Sequence, residues 1–168
     1  MKYTIIYILL IACMSKLNGQ KVKIIIPDGL YLITRIDTSG QEIRALNTNE
    51  AILYYNPDFD EFNDEYNSRI VVNKSEFVPL QLKEAPSTEL QTGNKKKLLL
   101  TLNKNASEQL KLFTVRHMNS MVAIVVDSEV LTKHKIKAVI ANGALQISRC
   151  NDHACELLLI HLKDNVDN

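Results

Sequence analysis

A run of six consecutive apolar residues, Met121 to Val126 (MVAIVV), restricts the fold more than any other feature of the sequence. Strands that are apolar on both faces lie inside a covered sheet, whereas half-exposed strands alternate apolar and polar residues. We therefore predict that this run is a central strand. Such a strand needs neighbouring strands and a packed layer of helices to cover it.

The sequence on either side predicts two helices. Asn105 to Glu108 (NASE) has the pattern of a helix start, with Asn105 as the N-cap and Glu108 closing a capping box, and apolar residues follow at helical spacing. A second amphipathic helix is predicted from Asp152 to Lys163. The predicted fold class is α+β, a mainly antiparallel sheet with two helices packed on one face. In the C-terminal part the predicted order is β-α-β-β-β-β-α.

The strands of this part include a predicted hairpin. Ile136 to Ile140 and Ala144 to Ile147 flank Asn142-Gly143, a pair that favours a tight turn with positive φ. A strand is also predicted from Lys96 to Leu102. Glu84 to Asn94 contains proline and glycine without periodicity, and it is interpreted as a connector.

The first twenty residues have the pattern of a signal peptide. Lys2 supplies one positive charge, and Tyr3 to Met14 is an almost unbroken apolar run, which is short for a membrane-spanning helix. Leu10 to Cys13 (LIAC) has the form of a lipobox, in which cleavage before Cys13 would leave it as a lipidated first residue. The alternative is ordinary cleavage near Gly19-Gln20. We expect an exported protein, either periplasmic or held at the membrane by a lipid anchor alone.

The predicted organisation is a signal peptide (1–20), a β-rich extension (21–95), an α+β subdomain (96–163) and a short tail (164–168). The formal net charge is +1, and no cluster of basic residues is interleaved with aromatic ones. This composition argues against a nucleic-acid partner.

Cys150, His153 and Cys155 lie close together in the sequence. A structural zinc site needs four ligands, and His161 is the nearest candidate for the fourth. The alternatives are a disulfide between Cys150 and Cys155, which export favours, or two free thiols. We predict no metal site here, and the disulfide is the favoured interpretation over zinc.

Two other ionisable features have competing interpretations. Asn56 to Asn67 begins like a calcium loop, but Glu61 stands where glycine is needed and Asn67 where a bidentate glutamate is needed. A solvated acidic loop, or a partner-facing acidic patch, is the favoured interpretation. His117, on the apolar face of the first helix, is predicted to be a hydrogen-bonded histidine at the core boundary.

Several segments between Lys96 and Leu162 carry a family resemblance. They are the strand LLLTL, the helix ending in Leu112-Phe113-Thr114, the segment Val122 to Leu131 and the segment Ile140 to Ser148. Together they resemble the head subdomain of the first periplasmic domain of SecD and SecDF, accessory subunits of the Sec protein translocase. In this comparison Asp127 resembles the family's turn aspartate, which implies a role in hairpin geometry.

The sequence also departs from the family pattern. Lys133-His134 stands where the family has a proline, Arg149 replaces a glycine, and Cys150 to Cys155 replaces the Phe-Thr that opens the last helix. The resemblance implies a detached head that binds polypeptide or another envelope protein.

No hydrolase, metalloprotease, phosphate-loop or dinucleotide motif is present in the sequence. We therefore expect a non-enzymatic protein without catalytic residues or cofactors. The resemblance implies a function related to protein export. The alternative is a structural or inhibitory accessory lipoprotein that reuses the fold without a role in translocation.

Overall fold

A computed structural model of the protein describes residues 24–37, 45, 47–56, 69–90, 96–150, 152–163 and 166, with the backbone alone for residues 37, 148–150 and 152–155. These residues form eight strands and two helices. The strands are β1 (Gly29–Asp37), β2 (Glu50–Tyr54), β3 (Arg69–Pro79), β4 (Ser87–Leu90), β5 (Lys96–Thr101), β6 (Met121–Val126), β7 (Glu129–Lys135) and β8 (Ala144–Cys150). The helices are α1 (Lys104–Arg116) and α2 (Asp152–Lys163).

The α+β class, with mainly antiparallel pairing, is confirmed, but the strands form two sheets and not one. The larger sheet has the order β2-β3-β1-β6-β7, and the smaller has the order β4-β5-β8. All pairs within the sheets are antiparallel. Because β6 pairs with β1 and β7 pairs with β6, strands from the N-terminal region and strands that follow α1 share one sheet.

The prediction of a central strand at β6 is confirmed. It lies between β1 and β7, and all its residues after Met121 are buried. Val122 and Ile124 face one hydrophobic cluster, whereas Ala123 and Val125 face another. Each face of β6 therefore covers its own core, which explains why the run has no polar alternation.

The larger of the two cores joins both sheets to both helices. It includes Leu110 and Phe113 of α1, Leu98 and Leu100 of β5, and Leu158 of α2. The smaller core lies on the opposite face of the five-stranded sheet and centres on residues such as Tyr31 and Leu53.

The five-stranded sheet curls until its two outer strands meet at one end. Tyr55, just after β2, forms a parallel bridge with Val130 of β7. The backbone N–H of Asn56 donates to the Val130 carbonyl at 2.9 Å, and its side chain donates to Glu129 at 2.7 Å. The curled sheet encloses the smaller core.

Two expectations about α1 and the connector are wrong. The N-cap of α1 is Asn103 and not Asn105, because the Asn103 side chain accepts a hydrogen bond from the N–H of Ala106 at 2.9 Å. Both asparagines suit an N-cap, so composition alone does not decide between them. The predicted connector contains β4, which pairs with β5.

The predicted hairpin around Asn142-Gly143 is also wrong. Residues 136–140 form no strand, so the C-terminal order is β-α-β-β-β-α. Gly143 has the expected positive φ of 68°, but its carbonyl accepts from the N–H of Leu102 at 3.0 Å. The chain therefore crosses from the larger sheet to the smaller one here, because pairing with β5 replaces the local turn.

Candidate functional site

An open groove with a volume of about 360 Å³ lies between the two sheets, beside the C-terminal half of α1. This volume is within the range of pockets that bind ligands in proteins. The lining is mainly apolar and comes from β1, α1, β6, β7, β8 and the loop between β7 and β8. The lining residues are Leu30, Thr114, Val122, Ile124, His134, Lys135, Ile136, Lys137, Ala138, Ile140, Ala144, Leu145 and Gln146.

The groove opens onto the edge of β8. Three consecutive residues, Ala144 to Gln146, line it. Successive side chains of a strand point to opposite faces, so a strand face contributes only every second residue. Lining by consecutive residues therefore indicates an edge. Within the described residues, β8 has a strand neighbour, β5, on one side only.

The other outer strand of the smaller sheet, β4, is poorly suited to pairing. It spans only Ser87–Leu90, and all its residues are exposed. Glu89 on this strand forms an ion pair with Lys97 at 2.7 Å. Short, charged outer strands discourage the addition of further strands. The edge of this sheet that offers apolar surroundings to an incoming chain is therefore β8.

The loop of residues 136–143 forms one wall of the groove and is fixed at three places. At its start, the N–H of Ile136 donates to the Ser120 carbonyl, and the Ile136 carbonyl accepts from Asn119. In the middle, the N–H of Ile140 donates to the Thr114 hydroxyl at 3.1 Å. At its end, Gly143 is bonded to Leu102 at 3.0 Å. The groove is thus held open before any ligand arrives, which lowers the entropic cost of binding.

The charged residues that line the groove, in the part of the chain that the structure describes, have one sign. They are Lys135 and Lys137, and no described lining residue carries a carboxylate. Desolvation by burial lowers the pKa of His134 below its ordinary value of 6.5. His134 is therefore neutral at pH 7, and the groove combines an apolar wall with two ammonium groups.

We expect His134 to make the protein less stable in acid. In the unfolded chain its pKa is 6.5, whereas in the fold it is lower, so below pH 6.5 the unfolded state binds more protons. The free energy of unfolding should fall as the pH drops from 7.5 through the lowered folded pKa. His134 is also exposed to solvent, so the loss should stay below about 1 kcal/mol.

Urea denaturation of the wild type and of His134→Gln at pH 7.5 and pH 5.5 measures this effect. The other histidines are present in both proteins, so the difference between the two pH dependences isolates His134. An identical pH dependence in both proteins would contradict the expectation.

The cysteine and calcium-loop predictions fall mainly outside the described part of the chain. This applies to Cys13, to residues 57–67 of the acidic segment, and to the side chains of Cys150, His153 and Cys155. Lipidation and the disulfide remain predictions.

Of the remaining candidates, His161 contacts a carboxylate through its outer ring nitrogen. Its Nε2 lies 2.9 Å from Oδ2 of Asp28. The other carboxylate oxygen of Asp28 accepts from the N–H of Asp127 at 2.9 Å. Asp28 thus connects the start of β1, the β6–β7 turn and α2, a junction that the sequence does not predict.

His117 and Asp127 have the predicted roles. Nε2 of His117 lies 3.0 Å from Oε2 of Glu76, and its side chain is 18% exposed, as expected of a hydrogen-bonded residue at the core boundary. Asp127 and Ser128 form the turn between β6 and β7, and both have positive φ. Asparagine and aspartate tolerate this conformation better than most residues, which accounts for the aspartate.

Two kinds of feature are absent from the described residues. None of the helices there has both the length and the apolar character needed to cross a membrane. No cluster of three or more histidine, cysteine, aspartate or glutamate residues in that part of the chain could hold a metal ion.

Residues 52–163 match the family model described as SecDF, P1 head subdomain. No curated protein matches the sequence. Among solved structures, one described as a membrane component SecDF that enhances protein export is 19% identical, with a TM-score of 0.46 over 51% of this chain and 40% of that one. A SecDF structure in a super-membrane-facing form is 17% identical, with a TM-score of 0.47 over 81% of this chain and 18% of that one. The chain therefore spans less than half the length of either.

Proposed function

The chain belongs to the SecDF P1 head subdomain family, and on this premise we propose that it is a non-enzymatic exported protein that binds extended polypeptide in a process related to protein export. The polypeptide segment lies in the groove between the two sheets and pairs with the edge of β8. Its location is the cell envelope, either free or anchored through Cys13.

The observation that carries this proposal is the position of β8 as an outer strand of the smaller sheet, among the described residues, beside an apolar groove. An extended chain that adds to a sheet edge gains backbone hydrogen bonds whatever its sequence, and apolar pockets add affinity for alternate side chains. Ala144 to Gln146 supply the edge, while residues such as Leu30 and Ile140 supply the apolar surface. This combination suits a protein that handles many different polypeptides.

The groove chemistry supports binding more than catalysis. General acid–base and nucleophilic mechanisms need convergent ionisable groups within hydrogen-bond reach of one another. The ionisable lining residues are His134, Lys135 and Lys137, which are neighbours along one strand end and loop. None of them has an acidic partner among the described lining residues, so these residues provide no acid–base pair that faces the groove.

A pair of N-methylated peptides tests pairing with a strand edge. The probe is a fluorescent twelve-residue peptide with alternating valine and serine in its central part, titrated with the purified protein and followed by anisotropy. One version carries N-methyl groups on the odd central residues and the other on the even ones. A strand directs alternate N–H groups to opposite edges, so one version should bind at least about tenfold more weakly and the other nearly as well as the parent.

Two tryptophan variants locate the binding site. Ala144→Trp fills the groove beside β8 and should abolish binding, whereas Ala85→Trp places the same bulk on an exposed residue that does not line the groove. Equal binding by both variants would place the peptide elsewhere. Failure of the unmodified peptide to bind the wild type would overturn the proposed function.

A further inference from the structure

The charged residues of the groove are distributed unevenly. Its described lining residues include two lysines, Lys135 and Lys137, and no carboxylate. Both residues are exposed, and within the described residues neither ammonium has an ion-pair partner. By contrast, Lys97 on β5 is paired with Glu89 at 2.7 Å. The groove therefore presents positive charge that the fold itself does not use.

The location of these lysines suits contact with a bound segment. Lys135 ends β7 and Lys137 begins the groove loop, and both line the groove together with Ala144 to Gln146 of β8. A segment paired along β8 would thus have the two ammonium groups beside it. Lys133, two residues earlier, does not belong to this set, because its ammonium lies 5.7 Å from the ring centre of Tyr55.

The surroundings increase the effect of each charge. The ammonium groups border an apolar wall that includes Ile136 and Ile140, and such a wall excludes water from one side. Charges at the rim of an apolar cleft interact more strongly with a bound ligand than charges on a flat, fully solvated surface. A carboxylate near Lys135 or Lys137 should therefore favour binding, and a cationic side chain should oppose it.

Resting on the proposed function, we infer that the groove selects extended polypeptide segments in which an apolar stretch is flanked by acidic residues, and that Lys135 and Lys137 determine this selectivity. These lysines act as specificity residues beside the edge of β8. Segments with basic residues at the same places are disfavoured.

Three peptides with one common core test the inference. They share the alternating valine and serine core and carry glutamate, glutamine or lysine at the same two flanking positions. The glutamate peptide should bind the wild type about fivefold more tightly than the glutamine peptide, and the lysine peptide about fivefold more weakly, which corresponds to about 1 kcal/mol in each direction. The differences should shrink as the salt concentration rises.

Two double variants assign the effect to its residues. Lys135→Gln with Lys137→Gln should remove most of the difference among the three peptides while leaving the affinity for the glutamine peptide nearly unchanged. Lys104→Gln with Lys111→Gln removes the same charge from exposed positions on α1 and should preserve the difference.

The outcomes separate the inference from the proposed function. If the glutamine peptide binds but the three affinities are equal, the selectivity is refuted and the binding function stands. If the affinity difference among the three peptides persists after both groove lysines are replaced, another part of the protein recognises the flanking charges. The assignment to Lys135 and Lys137 is then refuted. If the glutamine peptide fails to bind the wild type at all, the proposed function itself fails.

Discussion

Replacing Phe113 by alanine is expected to lower the free energy of unfolding by about 4 kcal/mol. Phe113 is 1% exposed and lies in the larger core, where both sheets and both helices meet. Its ring also lies 4.7 Å from the ring of His117, which in turn contacts Glu76 of β3. The substitution would leave a cavity and release the contact that holds His117.

Urea denaturation measures this loss, and the neighbouring residue provides the control. Leu112 lies on the same helix but is 61% exposed, so Leu112→Ala should change the free energy of unfolding by less than about 0.5 kcal/mol. Phe113→Leu keeps most of the volume and should cost about 1 kcal/mol. Similar losses in Phe113→Ala and Leu112→Ala would show that α1 does not pack through Phe113.

Replacing Gly143 by valine is expected to cost about 3 kcal/mol, because both the backbone and the space around it exclude a side chain. The φ of Gly143 is 68°, a conformation that β-branched residues rarely adopt. A Cβ added here would collide with the side chain of Ser107. The chain must shift, and the bond from Leu102 that fixes the end of the groove wall would weaken.

Further variants separate the backbone strain at Gly143 from the lack of space for a side chain. Ala141→Val introduces the same side chain at a nearby exposed residue and should have little effect on stability. Gly143→Ala should also lower the free energy of unfolding. Adding Ser107→Gly to this variant removes the steric conflict, so it should recover part of that loss. The backbone strain at residue 143, about 1 kcal/mol, should remain. Equal stability of Gly143→Val and Ala141→Val in urea denaturation would contradict the expectation.

The elements that the sequence predicts well are those whose pattern is local. The apolar run of β6 and the helical spacing of α1 each identify their element, because a buried strand and an amphipathic helix bury characteristic sets of neighbouring residues. The same spacing also places His117 at the boundary of the core, where the structure has it. The sequence pattern predicts the N-cap two residues too late, because Asn103 and Asn105 are the same type of residue and both suit an N-cap.

The candidate site was not predictable, because it is made by pairings between distant parts of the chain. Leu30 reaches the groove only because β1 pairs with β6, with Leu30 opposite Ile124. Ala144 reaches the groove because the chain leaves the larger sheet after β7, and β8 then pairs with β5 of the smaller sheet. The local signal at Asn142-Gly143 favours a hairpin, and nothing nearby in the sequence shows that a distant strand outcompetes it. The contact between His161 and Asp28 joins residues 133 positions apart and has no local pattern at all.

The closure of the five-stranded sheet at Tyr55 and Val130 has a consequence for self-association. Outer strands with unpaired backbone groups invite edge-to-edge stacking of identical molecules, the first step toward fibrils. Here the outer edge of β7 is already occupied at Val130, where Tyr55 forms a bridge and Asn56 donates to its carbonyl. The remaining part of β7, Thr132 to Lys135, is short and ends in charged residues. In the described part of the larger sheet, this closure leaves less unpaired backbone on which a second copy of the protein could stack.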